Sequence, residues 1–263
     1  MQFHPVLGLS MPELGWVPSP RYLLRRDRIL TWLPKSVTGA ALEIGCGAGA
    51  LLKDLRLRGY ECTALETSGK AAKIARTAHA GDPGVEIFER AEEAEWTGRF
   101  DLAIACEVLE HIEDDTNALK EWVRWLKPDG QFVISVPGRP EKWGASDVWA
   151  GHFRRYTRKT LETLCLSAGL RLGRIESYGY PMINCIAPIR PRPLKKTVEV
   201  GQRGHEKEEA TAASGIDRGF ELRVFPLLNN LLGRSIIRLG CRWQRRFLDG
   251  DKGLGLLAWA TKI

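Results

Sequence analysis

A glycine-rich run and an acidic residue downstream of it are the residues best placed for chemistry in this sequence. The run reads Leu-Glu-Ile-Gly-Cys-Gly-Ala-Gly over residues 42–49, at the end of an apolar segment. Glycine lets a backbone turn sharply and approach a ligand more closely than a residue with a Cβ atom permits. Glu66 lies 21 residues after Gly45, where an acidic side chain can accept hydrogen bonds from both hydroxyls of a ribose. Together they predict a site for an adenosine-containing ligand.

The glycine run by itself leaves more than one cofactor open. Gly45, Gly47 and Ala50 fit the loose dinucleotide-binding pattern G-x-G-x-x-G/A, which favours a nicotinamide dinucleotide as readily as another adenosine cofactor. The run could also be a tight structural turn, and Glu66 could cap a helix. Other motifs have to separate these alternatives.

Two histidines and the residues beside the second one are candidates for proton transfer and substrate contact. His111 follows the fourth predicted strand and His152 follows the fifth. Both then lie at the carboxyl edge of the sheet, where open α/β sheets bind ligands, and an imidazole there can take a proton from a phenol or an alcohol near neutral pH. Arg155 and Tyr156 are candidate substrate contacts at the same edge of the sheet. The alternatives are structural support of a loop for His111 and ordinary surface positions for Arg155 and Tyr156.

Strands and helices alternate along most of the chain, and they must position these residues. The predicted strands cover residues 40–44, 60–65, 85–88, 100–105, 131–136, 170–177 and 253–261. Helices of about ten residues separate most of them, which requires right-handed crossovers and a parallel sheet covered by helices on both faces. The sequence therefore predicts an α/β fold with a doubly wound, seven-stranded sheet.

The chain divides into four parts around this sheet. Residues 1–37 are expected to form an N-terminal helical segment, 38–180 the core domain, 181–252 a mobile basic insertion with amphipathic helices that acts as a substrate lid, and 253–263 the final strand. The net charge is +7, and residues 185–250 hold 13 basic against 7 acidic residues, a net of +6. The excess positive charge is therefore concentrated in the insertion.

An apolar stripe interleaved with arginines runs through the end of this insertion, from Phe225 to Phe247. It can be a lid helix over the acceptor pocket, or a helix packed on the domain. It can also be a basic amphipathic helix that makes peripheral membrane contact through residues 222–247. The sequence does not choose among the three.

Four motifs in a fixed order resemble the class I S-adenosylmethionine (SAM)-dependent methyltransferases, in particular the small-molecule and quinone O-methyltransferases of the type 11/23 group. The first is the glycine run itself. The others read F-D-L-A-I-A-C-E-V-L-E-H at 100–111, L-K-P-D-G-Q at 126–131 and G-H-F-R-R-Y-T at 151–157. The resemblance covers about residues 38–177 and the final strand. It implies a Rossmann-like, mostly parallel sheet with an antiparallel last strand.

The same resemblance implies SAM as the cofactor and assigns residues to it, with Glu43 in the position that contacts the methionine amine through the loop or through water. The cofactor-binding residues carried over are Glu43, Gly45, Cys46, Gly47, Gly49, Glu66, Ala91, Glu92, Cys106 and Glu107. One position departs from the family, because Arg90 stands where an acidic residue usually accepts from the adenine amine. Glu89 or Glu92 can replace it, or Ala91 can bind adenine through its backbone.

We therefore expect methyl transfer from SAM to a small-molecule acceptor, most simply a hydroxyl oxygen, by in-line displacement with His111 or His152 as general base. The alternatives are an NAD-dependent oxidoreductase, a nucleic-acid methyltransferase and a binding protein that has lost its chemistry. Against nucleic acid, Cys106 and Glu107 stand where base-amine methyltransferases carry an N/D-P-P-Y/F segment.

Three further expectations concern metal, location and assembly. The six cysteines are scattered without metal-ligand spacing, so no metal is expected. The first residues lack the pattern of a signal peptide and no run is apolar enough to span a bilayer, so a cytoplasmic location is expected, with a peripheral position at the inner membrane surface left open. The sequence indicates no oligomeric state.

Overall fold

A seven-stranded sheet organises the computed structural model, which describes residues 1–91, 96–186 and 218–263. The strands in chain order are β3 (Gly39–Ile44), β4 (Tyr60–Leu65), β5 (Val85–Phe88), β6 (Phe100–Cys106), β7 (Leu126–Pro137), β8 (Leu170–Tyr178) and β9 (Gly255–Lys262). Their spatial order is β5-β4-β3-β6-β7-β9-β8, and β9 pairs antiparallel with both β7 and β8. The predicted Rossmann-like, mostly parallel sheet with an antiparallel last strand is confirmed.

A small hairpin precedes the sheet, within the segment predicted as helical. Strands β1 (Gln2–His4) and β2 (Gly8–Ser10) pair antiparallel, and Gly8 turns the chain with a φ of +70° that L-residues rarely adopt. The hairpin packs beside the helix at residues 20–32, whose Arg26 donates to the Pro5 carbonyl in the hairpin turn.

Helices flank the sheet and connect its strands. They are α1 (Pro20–Trp32), α2 (Ala50–Arg56), α3 (Gly69–His79), α4 (Asp115–Trp125), α5 (Ala145–Ala150), α6 (Arg158–Ser167), α7 (Met182–Ile186), α8 (Gly219–Leu228) and α9 (Leu231–Gln244). The stripe predicted from Phe225 to Phe247 is thus divided between α8 and α9, and the Asn230 side chain caps α9 by accepting from the Gly233 N–H. Residues 187–217 of the predicted insertion lie outside the described residues, as does Glu92.

Two apolar layers cover the two faces of the sheet, because alternate side chains of a strand point to opposite faces. Leu42 and Ile44 of β3 pack into the layer that includes Leu119 and Trp122 of α4. Ala41, directly before Leu42, packs into the opposite layer with α1 and α2. Among the described helices, none is long and apolar enough to cross a bilayer.

Two buried ion pairs fix α1 against the sheet. Arg26 donates to both carboxylate oxygens of Asp54 in α2, and Arg28 donates to both oxygens of Glu176 in β8. Bidentate pairs of this kind set orientation as well as distance. As a result, α1 is held so that Arg21 and Arg25 reach the carboxyl edge of the sheet.

Candidate functional site

The glycine loop between β3 and α2 turns through three residues in the left-handed region. Gly45, Gly47 and Gly49 have φ values of +67°, +56° and +72°. A Cβ at Gly45 would lie 2.5 Å from Cγ2 of Val108, whereas a Cβ at Gly47 would meet nothing within 4 Å. The loop therefore packs tightly on one side and faces open space at Gly47. This is the shape of a cradle for a ligand that lies against the backbone.

Glu66 directly follows β4, and its side chain is hydrogen-bonded to this loop. Its Oε2 accepts from the Gly47 N–H at 2.7 Å and its Oε1 from the Ser68 N–H at 2.9 Å. Burial raises the pKa of Glu66, and the two backbone donors oppose the rise. Each carboxylate oxygen can accept a second hydrogen bond, so the side chain can still serve a ribose hydroxyl.

Glu43 is a buried carboxyl group at the end of β3, beside the loop. It is only 5% exposed, and its Oε2 has no hydrogen-bond partner among the described residues. Burial raises its pKa to about 8, although the Arg25 guanidinium acts in the opposite direction. A buried acceptor without a donor is costly, and a cationic donor such as an ammonium group would satisfy it.

Glu107 binds two arginines that the sequence analysis missed. Arg21 donates from Nη2 to its Oε2 at 2.6 Å, and Nη1 of Arg25 lies 3.4 Å from its Oε1. Ser135 Oγ and the Tyr178 hydroxyl donate to Oε1 as well. Burial alone would raise the pKa of Glu107, but the two guanidinium groups and these donors lower it to about 2.

This network also holds the Glu107 backbone in an uncommon conformation. Its φ is +60°, a value that costs a non-glycine residue about 1–3 kcal/mol and that is found mostly at functional sites. The only sequence signal for the arginines was their spacing of four residues on one helix face, which places both on the same side of α1. Their partner lies more than 80 residues away in the sequence.

The other predicted cofactor residues lie around the loop. Cys46 is buried in the layer beneath α2, and burial raises its pKa well above the usual range, as expected of a packing residue. Cys106 ends β6 next to Glu107, and burial raises its pKa to about 12. Ala91 packs against the opposite apolar layer.

The two predicted histidines meet in space. The rings of His111 and His152 pack edge to face with centroids 4.7 Å apart. Nδ1 of His152 lies 2.9 Å from Oδ1 of Asp147. Although burial alone would raise the pKa of Asp147, hydrogen bonds from His152 and Arg155 lower it to about 2. The ionised carboxylate can only accept, so Nδ1 of His152 is the donor in this contact, and Nε2 lies on the other side of the ring, 4.0 Å from Oε1 of Glu110.

A third group, Glu110, completes a cluster with these histidines. Glu110 is fully buried, and neither of its carboxylate oxygens has a hydrogen-bond partner among the described residues. Burial and the nearby charge of Glu107 raise its pKa well above the usual range. One ligand atom each from Glu110, His111 and His152 lie within 4.8 Å of one another, so the three could hold a metal ion. No metal was expected from the sequence, because cysteine spacing gives no signal for a cluster built from two separate segments.

Arg155 and Tyr156, predicted as substrate contacts, have protein partners in the structure. Arg155 donates from Nε and Nη2 to the two oxygens of Asp147, at 2.7 and 2.9 Å. Tyr156 is 3% exposed and donates to Oδ2 of Asp115 at 2.8 Å. Arg155 thus supports the carboxylate that orients His152.

Comparison with known proteins decides the family. The model of a family described as a methyltransferase domain matches residues 20–174. The chain belongs to this family. It is a class I SAM-dependent methyltransferase.

The methyltransferase is 30% identical over 172 residues to the ubiquinone biosynthesis O-methyltransferase of Azotobacter vinelandii, with 57% of this chain and 74% of the relative covered. The protein of the same description from Bordetella pertussis is 29% identical over 146 residues, and the chain spans only 55% of its length. A solved SAM-dependent methyltransferase from Mesorhizobium loti shares the fold, with a TM-score of 0.55 at 17% identity over 93% of this chain and 98% of that one.

Two features of the structure fit SAM. Gly47 faces open space at the loop, so its backbone is accessible to a ligand. Glu43 offers an unpartnered buried oxygen, and the Arg25 guanidinium is close enough to influence its pKa. A cofactor whose methionine end carries both an ammonium and a carboxylate group matches this pair of one acidic and one basic side chain.

Proposed function

We propose that this enzyme transfers the methyl group of SAM to a hydroxyl oxygen of a small molecule. The supporting observation is the His152 imidazole at the sheet edge that carries the glycine loop, where Asp147 orients the ring through Nδ1 and Nε2 lies 4.0 Å from Oε1 of Glu110. The similarity to proteins named O-methyltransferases supports an oxygen acceptor. A positioned imidazole is useful to a hydroxyl acceptor, because that acceptor must lose a proton as it is methylated.

We assign the cofactor contacts from the same geometry. Glu43 receives the ammonium group of the methionine end, and Arg25 pairs with its carboxylate. The Gly45–Gly49 backbone lies against the cofactor, and Glu66 accepts from the ribose hydroxyls. Glu89 forms an ion pair with Arg76, which favours the Ala91 backbone or Glu92 over Glu89 for adenine recognition.

The reaction needs little covalent help from the protein, because SAM supplies a methyl group already activated on its sulfonium. The acceptor oxygen forms a bond to the methyl carbon while the carbon–sulfur bond breaks and its electron pair returns to sulfur. The acceptor proton passes to Nε2 of His152. Positioning of the two reactants can lower the barrier by about 7–11 kcal/mol, and a general base typically adds about 10²–10⁴-fold in rate.

Alanine substitution of each histidine tests the proposal, with turnover measured against a panel of phenols, alcohols and amines. His152→Ala should lower kcat on a phenol or alcohol about 10²–10⁴-fold while leaving the Kd of SAM unchanged. His111→Ala is the matched comparison, because it removes the neighbouring imidazole and keeps both partners of the His152–Asp147 hydrogen bond. Full activity of His152→Ala, or turnover of amines alone, would contradict the proposal.

The Glu110 cluster gives a second way to activate the hydroxyl. Adding a chelator to the same turnover assay distinguishes it from base catalysis by His152. If the acceptor oxygen binds a divalent cation held by Glu110, His111 and His152, a chelator abolishes turnover and both alanine variants lose activity together. If His152 acts as a base, a chelator leaves turnover unchanged.

A further inference from the structure

The described part of the C-terminal region leaves a set of large apolar side chains uncovered on one helix. The most exposed of them on α9 are Leu231, Leu232, Ile236, Leu239 and Trp243, at 82%, 70%, 47%, 64% and 48%. Leu227 in the preceding helix α8 is 68% exposed. Single exposed apolar residues are ordinary, but a contiguous group marks an interaction surface.

The spacing of these residues makes them a continuous stripe. Leu232, Ile236, Leu239 and Trp243 follow one another at intervals of four, three and four residues, which places them on one face of a helix. We call these four residues the α9 stripe.

A different face of α9 is fixed in the protein. Ile237 and Gln244 are fully buried. The Gln244 side chain donates from Nε2 to the Leu24 carbonyl at 3.0 Å, and its Oε1 accepts from the Gly179 N–H at 3.1 Å. Rotating α9 to bury the stripe would break both hydrogen bonds in the interior. The orientation of α9, and with it the exposure of the stripe, is therefore fixed by packing in the folded enzyme.

The charge around the stripe favours an anionic partner. Residues 222–248 contain no Asp or Glu, and they contain six arginines at positions 223, 234, 238, 242, 245 and 246. An apolar stripe flanked by arginines, with a tryptophan among its members, is the composition of a helix that lies in a bilayer interface. A nucleic acid would use the arginines but would leave the leucines exposed to water.

We propose that the α9 stripe docks the enzyme on an anionic phospholipid surface, with the apolar side chains inserted among the acyl chains and the arginines at the phosphate groups. Each arginine near an anionic surface strengthens binding about fivefold. Helix α9 packs against α1, which carries Arg21 and Arg25 into the cofactor site. The docked surface therefore lies one helix away from the site, and this placement does not depend on the identity of the methyl acceptor.

Co-sedimentation of the whole chain with vesicles tests the proposal. One set of vesicles contains phosphatidylcholine alone and the other contains phosphatidylcholine mixed with phosphatidylglycerol. We expect binding to the mixed vesicles that weakens with added salt, and little binding to phosphatidylcholine alone. The variant Leu232→Glu/Leu239→Glu should bind the mixed vesicles at least about tenfold more weakly, because two inserted side chains are lost.

Two controls make the result specific. Leu57→Glu changes a leucine that is 57% exposed and outside the C-terminal region, and it should bind vesicles like the unaltered protein. SAM binding reports that each variant is folded. The proposal is overturned if the unaltered protein does not sediment with anionic vesicles at low salt, or if the double variant binds them normally. It is equally overturned if the double variant converts a dimer into a monomer, since the stripe would then be covered by a second copy.

Discussion

SAM binding by this enzyme should release a proton at neutral pH, because Glu43 is protonated in the free protein. Burial raises its pKa to about 8, so most molecules carry the proton at pH 7. An ammonium group placed at the unpartnered Oε2 favours the charged carboxylate. Binding must therefore expel the proton, and the apparent Kd of SAM should rise about tenfold for each pH unit below pH 8.

The raised pKa of Glu43 also makes the stability of the free enzyme depend on pH, with a sign opposite to that of a glutamate whose pKa is lowered by folding. A carboxyl group with a raised pKa holds its proton more tightly in the folded protein than in the unfolded chain. The free enzyme therefore loses stability as the pH rises from about 4.5 to about 8. SAM supplies the missing positive charge, so it should restore more stability at pH 8 than at pH 6.

Calorimetry in two buffers of different ionisation enthalpy measures the proton release directly. Unaltered protein should release most of one proton per SAM bound at pH 7. In Glu43→Gln this contribution disappears, and any remaining release comes from other groups such as Glu66, whose pKa is also raised. Equal proton release by the two proteins would refute the assignment of Glu43 to the ammonium group.

Three further substitutions test the loop, the anchor of α1 and the support of the base. Gly47→Val should abolish SAM binding. Gly169 also has a positive φ and open space, but Gly169→Val should bind SAM and lose only about 1–2 kcal/mol of stability in urea unfolding. Equal SAM binding by the two variants would contradict the assignment of the glycine loop to the cofactor. Asp54→Ala should cost about 3–5 kcal/mol in the same assay, because it leaves the Arg26 charge buried without its partner, and a loss below about 1 kcal/mol would show that water reaches the guanidinium. Asp147→Asn should lower kcat about 10²–10⁴-fold with an unchanged Kd for SAM, because an amide can stabilise the wrong His152 tautomer; an unchanged kcat would exclude Asp147 as the positioning residue.

Much of the fold could be predicted because its signals are local. The apolar strands and the helices between them are read from neighbouring residues, and parallel connection by right-handed crossovers then allows few arrangements. The positive φ values at Gly45, Gly47 and Gly49 were likewise implied by the residue type. The hairpin at residues 2–10 was missed, because two three-residue strands show too little alternation to be recognised.

The sequence by itself determined that this chain is an α/β protein with a glycine loop and an acidic residue suited to an adenosine cofactor. Only the tertiary structure decided which charged groups meet there. The Arg25–Glu107 contact and the Glu110, His111 and His152 cluster join segments that are 41 or more residues apart. Such encounters depend on the order of strands in the sheet and on the docking of α1, which are set by long-range packing. Local residue patterns carry no record of that packing.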